Sequence, residues 1–183
     1  MSWKTFHSRG ETLRAVMDTV NDRRDGILPT EVPGVAEHFT DELDLIGALM
    51  LKWHARLSGN IERALVREPM DLESAIAAAW HATAEDMPGV RLVIDRCAEH
   101  PTGPEMEQAM VRAREAEWAR LAVASGLANS KDAAAVAVGR HVEERARVGL
   151  APASATPDRT DAPTPGEPST VSFADRIKAA LAA

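Results

Sequence analysis

The sequence contains no tyrosine and only 4% aromatic residues, so its interior must be filled mainly by aliphatic side chains and a few tryptophans. It has a single cysteine, Cys97, which excludes an internal disulfide, and no Cys/His metal-ligand spacing accompanies it. A reducing, cytoplasmic setting is expected on that ground. No window approaches the roughly 18 uninterrupted apolar residues that a membrane-spanning helix needs. Residues 1–6 also lack the apolar run of a signal peptide. Positive charge is in deficit: 21 Lys and Arg face 28 Asp and Glu, a net charge of -7. That balance disfavours nonspecific binding to nucleic acid or to an anionic membrane.

The motifs of several enzyme classes are also missing. There is no Gly-x-Ser-x-Gly, no Walker loop, no Gly-x-Gly-x-x-Gly and no His-Glu-x-x-His. Helical bundles that hold two metal ions use a Glu-x-x-His pair on each of two helices, and the chain has none. Glu37-His38 and Glu99-His100 are adjacent pairs, which cannot both face one ion from a regular helix. His81 and Glu85 fall on the polar side of their helix. Catalytic residues, cofactor and metal are therefore all assigned as none.

What is present is helical periodicity, most strongly between residues 40 and 67. Leu43, Ile46, Met50, Trp53, Leu57, Ile61, Ala64 and Leu65 fall on one broad stripe at 100° per residue. Leu45 and Leu49 lie on a second face, and a helix apolar on two sides is normally surrounded by other elements. Thr40 is the expected N-cap, with Asp41, Glu42 and Asp44 opposing the positive end of the helix dipole.

The remaining segments read as further helices packed around this one. Ser8 and Glu11 form a capping box ahead of Leu13, Val16, Met17 and Val20, with Gly26 as the stop. Trp3 and Phe6 are expected to fold over the bundle's end. Residues 27–34 form an extended connector anchored by Leu28 and Val32. Asp71 caps a third helix carrying Leu72, Ile76, Ala79, Trp80 and Thr83. Val90, Val93, Ile94 and Cys97 mark a fourth, with Arg91, Asp95, Arg96 and Glu99 pointing outward. That outward set mixes acids with arginines and has no neutral amide for reading adenine, which argues against DNA recognition. Pro104 opens a fifth helix that runs to about Ser125 with Gly126 as its cap, and a sixth covers residues 133–148. The expected fold is all-α: an irregular bundle of about six helices over residues 1–149, built around one central buried helix.

After Gly149 the composition changes. Residues 150–171 contain five prolines among Ala, Ser, Thr and Asp, which reads as a disordered linker. Ser172 then caps a short amphipathic helix over residues 172–183, with Phe173, Ile177 and Leu181 on one face. A helix this short is marginal in water on its own, so the segment reads as a docking motif that folds into a partner's groove. The plainer reading is packing against its own bundle or a sister subunit. Its alanine-built face would insert weakly in a membrane.

Inside the bundle, His54 projects from the apolar stripe. Glu117, near the stripe of Met106, Met110, Ala113 and Leu121, is the candidate acid facing it, and Arg114 completes a possible polar trio. Either these residues line a ligand pocket or acid-base site, or they form an ordinary core histidine with a structural ion pair, which is the preferred reading. The functional expectation is a non-enzymatic cytoplasmic adaptor or regulatory protein that binds a protein partner through Phe173, Ile177 and Leu181. The alternative is a small-ligand-binding or enzymatic domain around His54. Homo-oligomerisation through Leu45 and Leu49 is a third expectation.

Overall fold

The structure, a computed structural model, describes the backbone of residues 3–148 and the side chains of residues 8–148. Seven helices and no strand occur among the described residues: α1 (Trp3–Arg23), α2 (Val35–His38), α3 (Glu42–Arg67), α4 (Leu72–Asp86), α5 (Pro88–Glu99), α6 (Pro104–Ala124) and α7 (Ala133–Val148). The fold is all-α. The side chains of Trp3 and Phe6, the linker 150–171 and the segment 172–183 with Phe173, Ile177 and Leu181 lie outside the described residues.

α3 is the central element and packs against α1, α4, α5 and α6. Its start is one residue later than expected: Asp41, not Thr40, is the N-cap, and its carboxylate accepts the Asp44 N–H at 2.8 Å. Asp44 in turn accepts the Thr40 N–H at 3.1 Å, so two backbone donors at the helix start are satisfied reciprocally. Leu45, Ile46, Leu49, Trp53 and Leu57 are completely buried. Leu45 and Leu49 are thus covered within one chain, so they offer no surface to a sister subunit.

The N-terminal helix departs from expectation. α1 begins at Trp3, so Ser8 stands inside the helix and its carbonyl accepts the Thr12 hydroxyl at 3.0 Å. No Pro interrupts residues 3–8, and the helix propagates back through the supposed cap. In the following connector, Leu28 and Val32 pack against the core as anchors. The connector then forms the extra one-turn helix α2, which seats the buried Val35 and Phe39.

Two helix crossings depend on glycine. A Cβ on Gly89 would lie 1.8 Å from the Val20 carbonyl oxygen, and one on Gly139 would lie 1.7 Å from the Trp118 carbonyl oxygen. The backbones of α1 and α5, and of α6 and α7, therefore touch with no side chain between them. Gly89 N–H also donates to Asn21 Oδ1 at 3.0 Å across the first crossing. The second crossing fixes the rotation of α7, which the alanine-rich sequence leaves open, and turns Val142, Glu143 and Ala146 inward.

Candidate functional site

The most concentrated chemistry lies where α3, α4, α5, α6 and α7 meet. Trp53 and Trp80 are both completely buried and form an edge-to-face pair with ring centroids 5.7 Å apart. A buried indole N–H needs an acceptor, and both find the same one. Trp53 Nε1 donates to Glu117 Oε2 at 2.9 Å, and Trp80 Nε1 donates to Glu117 Oε1 at 3.2 Å. His54 Nε2 lies 3.0 Å from Glu117 Oε2, and Arg91 Nη1 donates to Oε1 at 3.1 Å. Each carboxylate oxygen therefore has two donors around it.

Arg91 links this hub to a second layer of charge. Its Nε and Nη2 donate to Asp95 Oδ1 at 3.1 and 2.5 Å, one turn along α5. Arg147, from α7, donates to both Asp95 oxygens at 2.8 Å and to Glu143 at 2.8 and 2.6 Å. The two guanidiniums also stack on indoles, Arg91 at 5.0 Å from the Trp53 centroid and Arg147 at 4.9 Å from that of Trp80. Glu143 accepts a further bond from Trp118 Nε1. No buried side-chain nitrogen or oxygen among the described residues lacks a partner.

These surroundings set the protonation of the acids. Burial alone would raise the Glu117 carboxyl. The His54 hydrogen bond, the charges of Arg91 and His54, and the Trp80 bond outweigh it and lower its pKa to about 2. Burial opposes ionisation of Asp95 too, and its bonds to Arg147 and Arg91 likewise bring it down to about 2. For Arg91 burial disfavours the charge, but the attraction of Glu117 and the Asp95 bond raise its pKa. Burial pushes up the pKa of the half-buried Cys97 thiol, with Glu42 adding to the effect, so it is poorly suited to act as a thiolate nucleophile.

The residues singled out in the sequence come together with one exchange. Glu117 and His54 are in contact, as expected. Arg114 is not the cation on Glu117; it lies 3.6 Å from Asp95 and over the Trp118 ring. Arg91 takes that place, although the sequence reading points it outward, and it is only 6% exposed. Arg91 and Asp95 flank the Val90–Ile94 stripe at i and i+4, a pairing that turns the arginine inward once an acid waits on the facing helix. Two buried tryptophans in need of an acceptor, and one acid beside the α6 stripe, were the signal for the hub.

His54, Arg91, Arg114 and Glu117 border one small cleft, with Trp53, Met50 and Met110 among its walls. Its volume is about 20 Å³, room for about one water and far below the several hundred cubic ångströms of a ligand chamber. Elsewhere His81 lies 3.2 Å from Glu85 on the rim of α4. Among the described residues no three His, Cys, Asp or Glu side chains are placed to share a metal ion, and no helix is long and apolar enough to cross a membrane. No protein-family model matches the chain, nor does any curated protein or solved structure.

Proposed function

We propose that the protein is a cytoplasmic adaptor or regulatory protein that binds a protein partner, with residues 172–183 as the docking segment. The observation that carries this reading is the four-residue spacing of Phe173, Ile177 and Leu181 behind a proline-rich stretch that holds no core-forming pattern. A linker of about 20 residues has a root-mean-square reach of roughly 25 Å, enough for a tethered motif to sample a partner beside the bundle. The tightly filled interior supports the same reading, because it leaves recognition to surfaces and segments outside the core.

The test is retention from native lysate by the full chain against a chain stopped after Gly149. Retention of one defined protein by the full chain alone, lost in a Phe173→Ala, Leu181→Ala variant, is the expected result. Equal retention by both chains removes the docking role. A strictly monomeric mass by light scattering would in addition remove self-association.

A further inference from the structure

His54 has one ring nitrogen engaged and one open. Its Nε2 lies 3.0 Å from Glu117 Oε2, while its Nδ1 makes no hydrogen bond to a described residue. No buried side-chain nitrogen among the described residues lacks a partner, so Nδ1 is open to solvent, in keeping with a side chain 21% exposed. An imidazole anchored on a carboxylate through its far nitrogen is the arrangement that metal-ligating histidines use. Sulfur accompanies it here. Met50 stands one turn before His54 on the same face of α3, and Met110 two turns before Glu117 on the same face of α6. Both methionines border the cleft that His54 borders, and Met110 is only 3% exposed. The space of about 20 Å³ admits one water or one bare ion.

We propose that His54, Met50 and Met110 form a binding site for a single copper(I) ion, with Nδ1 and two thioether sulfurs as ligands. The inference is independent of residues 172–183. The donor set selects the metal. Thioethers are soft ligands that favour copper(I), whereas calcium and magnesium require oxygen ligands. The carboxylate at hand cannot supply them, because both Glu117 oxygens are already ringed by donors from Trp53, His54, Trp80 and Arg91. Zinc is held by thiolate, imidazole and carboxylate, and one imidazole with two thioethers does not make its tetrahedral set. Ile94, Ala98 and Ala113 complete an apolar wall, which keeps water from competing for the ion. Arg91 and Arg114 also border the cleft, but each is countered: Arg91 by Glu117 and Asp95, Arg114 by Asp95 and the face of Trp118. The ion takes Nδ1 in place of a proton, which leaves to solvent, so the positive charge of His54 set against Glu117 is kept. Copper is neither oxidised nor reduced in this exchange. Glu117 touches no metal and acts as the positioning residue for the imidazole.

The experiment titrates the full chain with copper(I) alone, under reductant and without oxygen, in competition with the chelator bicinchoninate. The chain should withdraw one equivalent. Met50→Leu and Met110→Leu conserve volume and leave the His54–Glu117 contact in place, so the bundle should stay folded with an unchanged far-UV spectrum. Loss of a group that merely orients a ligand costs about 10–100-fold in metal affinity, and loss of either thioether should cost no less. Met17→Leu, on α1 and away from the cleft, should bind as the wild type does. Cys97→Ala should also keep its equivalent, which separates this site from the thiol. X-ray absorption on that copper-loaded Cys97→Ala chain should show one nitrogen and two sulfur neighbours. The proposal is overturned if the chain takes no copper(I) from the chelator, if both leucine variants bind as tightly as the wild type, if Cys97→Ala loses the ion, or if the absorption spectrum lacks the two sulfurs.

Discussion

Arg91 Nη1 meets Glu117 Oε1 at 3.1 Å with both side chains 7% exposed, and around this one contact four helices surrender their polar groups to the interior. Glu117 sits on α6, Arg91 on α5, Trp53 and His54 on α3, and Trp80 on α4. Charges this deep are stable only when fully partnered, because desolvation would otherwise outweigh their attraction. The tryptophans supply two neutral donors to the same carboxylate, and stacking on the same indoles partly shelters the Arg91 guanidinium.

Removing one member of the pair should cost more than the pair itself contributes. Arg91→Met leaves the Glu117 anion buried with only Trp53, His54 and Trp80, and is expected to lower stability by about 3–5 kcal/mol. Glu117→Gln, which turns an NH2 donor towards one of the two indoles and takes from Arg91 one of its partner charges while leaving its bonds to Asp95, should cost a similar amount. The Arg91→Met, Glu117→Gln double variant should lose clearly less than the sum of the two, measured by urea denaturation. Strict additivity would show that the two groups act separately.

Acid should unfold the bundle through the same carboxylates. The folded pKa of Glu117 and that of Asp95 are depressed to about 2 from 4.5 and 3.8 in the open chain. The unfolded state thus binds more protons in this range, and stability falls as pH falls. The contribution is fully present above about pH 5 and is lost as pH drops towards 2, each group being worth on the order of 2–3 kcal/mol. Denaturation midpoints measured from pH 7 to pH 2 should show this decline. In Arg91→Met the Glu117 carboxyl loses a stabilising charge, so its part of the decline should move to higher pH.

The fold was largely legible in the sequence because helix starts and stops are local. Asp71 caps α4 by accepting the Ser74 N–H, as its position suggested. Gly126, at φ +72°, closes α6 with Leu127 N–H bonded back to Ala122 O. The capping box at Ser8 misled because a helix can run through a good cap when nothing upstream stops it. The site was half legible. His54 and Glu117 are marked by sitting among apolar residues, whereas Arg91 lies at the edge of its helix's stripe. Its inward turn depends on Glu117, Asp95 and Glu143, which three-dimensional packing alone brings together. The orientation of Glu143 depends on the rotation of α7, which its alanine-rich sequence does not specify.

A neutral buried pair offers a comparison with the ionic one. Asn60 Nδ2 donates to the Thr83 hydroxyl at 2.8 Å, and that hydroxyl donates to the Ala79 carbonyl at 2.7 Å, joining α3 to α4. Thr83 is completely buried and Asn60 is 7% exposed. Thr83→Val keeps the shape but strands the amide, at a cost of about 1–3 kcal/mol, whereas Thr83→Ser retains the hydroxyl and should lose less. Thermal denaturation that ranked Val at or above Ser would remove this bond from the set of interactions holding α4 in place.

The two touching backbones at Gly139 make a sharper claim, since glycine in a helix is otherwise unfavourable. An added methyl there would meet the Trp118 carbonyl oxygen at 1.7 Å, a backbone atom that moves only if α6 moves. Gly139→Ala is therefore expected to destabilise the bundle by about 3 kcal/mol, and to shift Trp118 fluorescence as α6 and α7 separate. Gly59, inside α3, has no atom within 4 Å of the same added methyl. There the ordinary helix preference decides, and Gly59→Ala should stabilise by about 0.5–1 kcal/mol. The opposite signs, read from chemical denaturation of the two variants, separate a glycine required by contact from one that is merely tolerated.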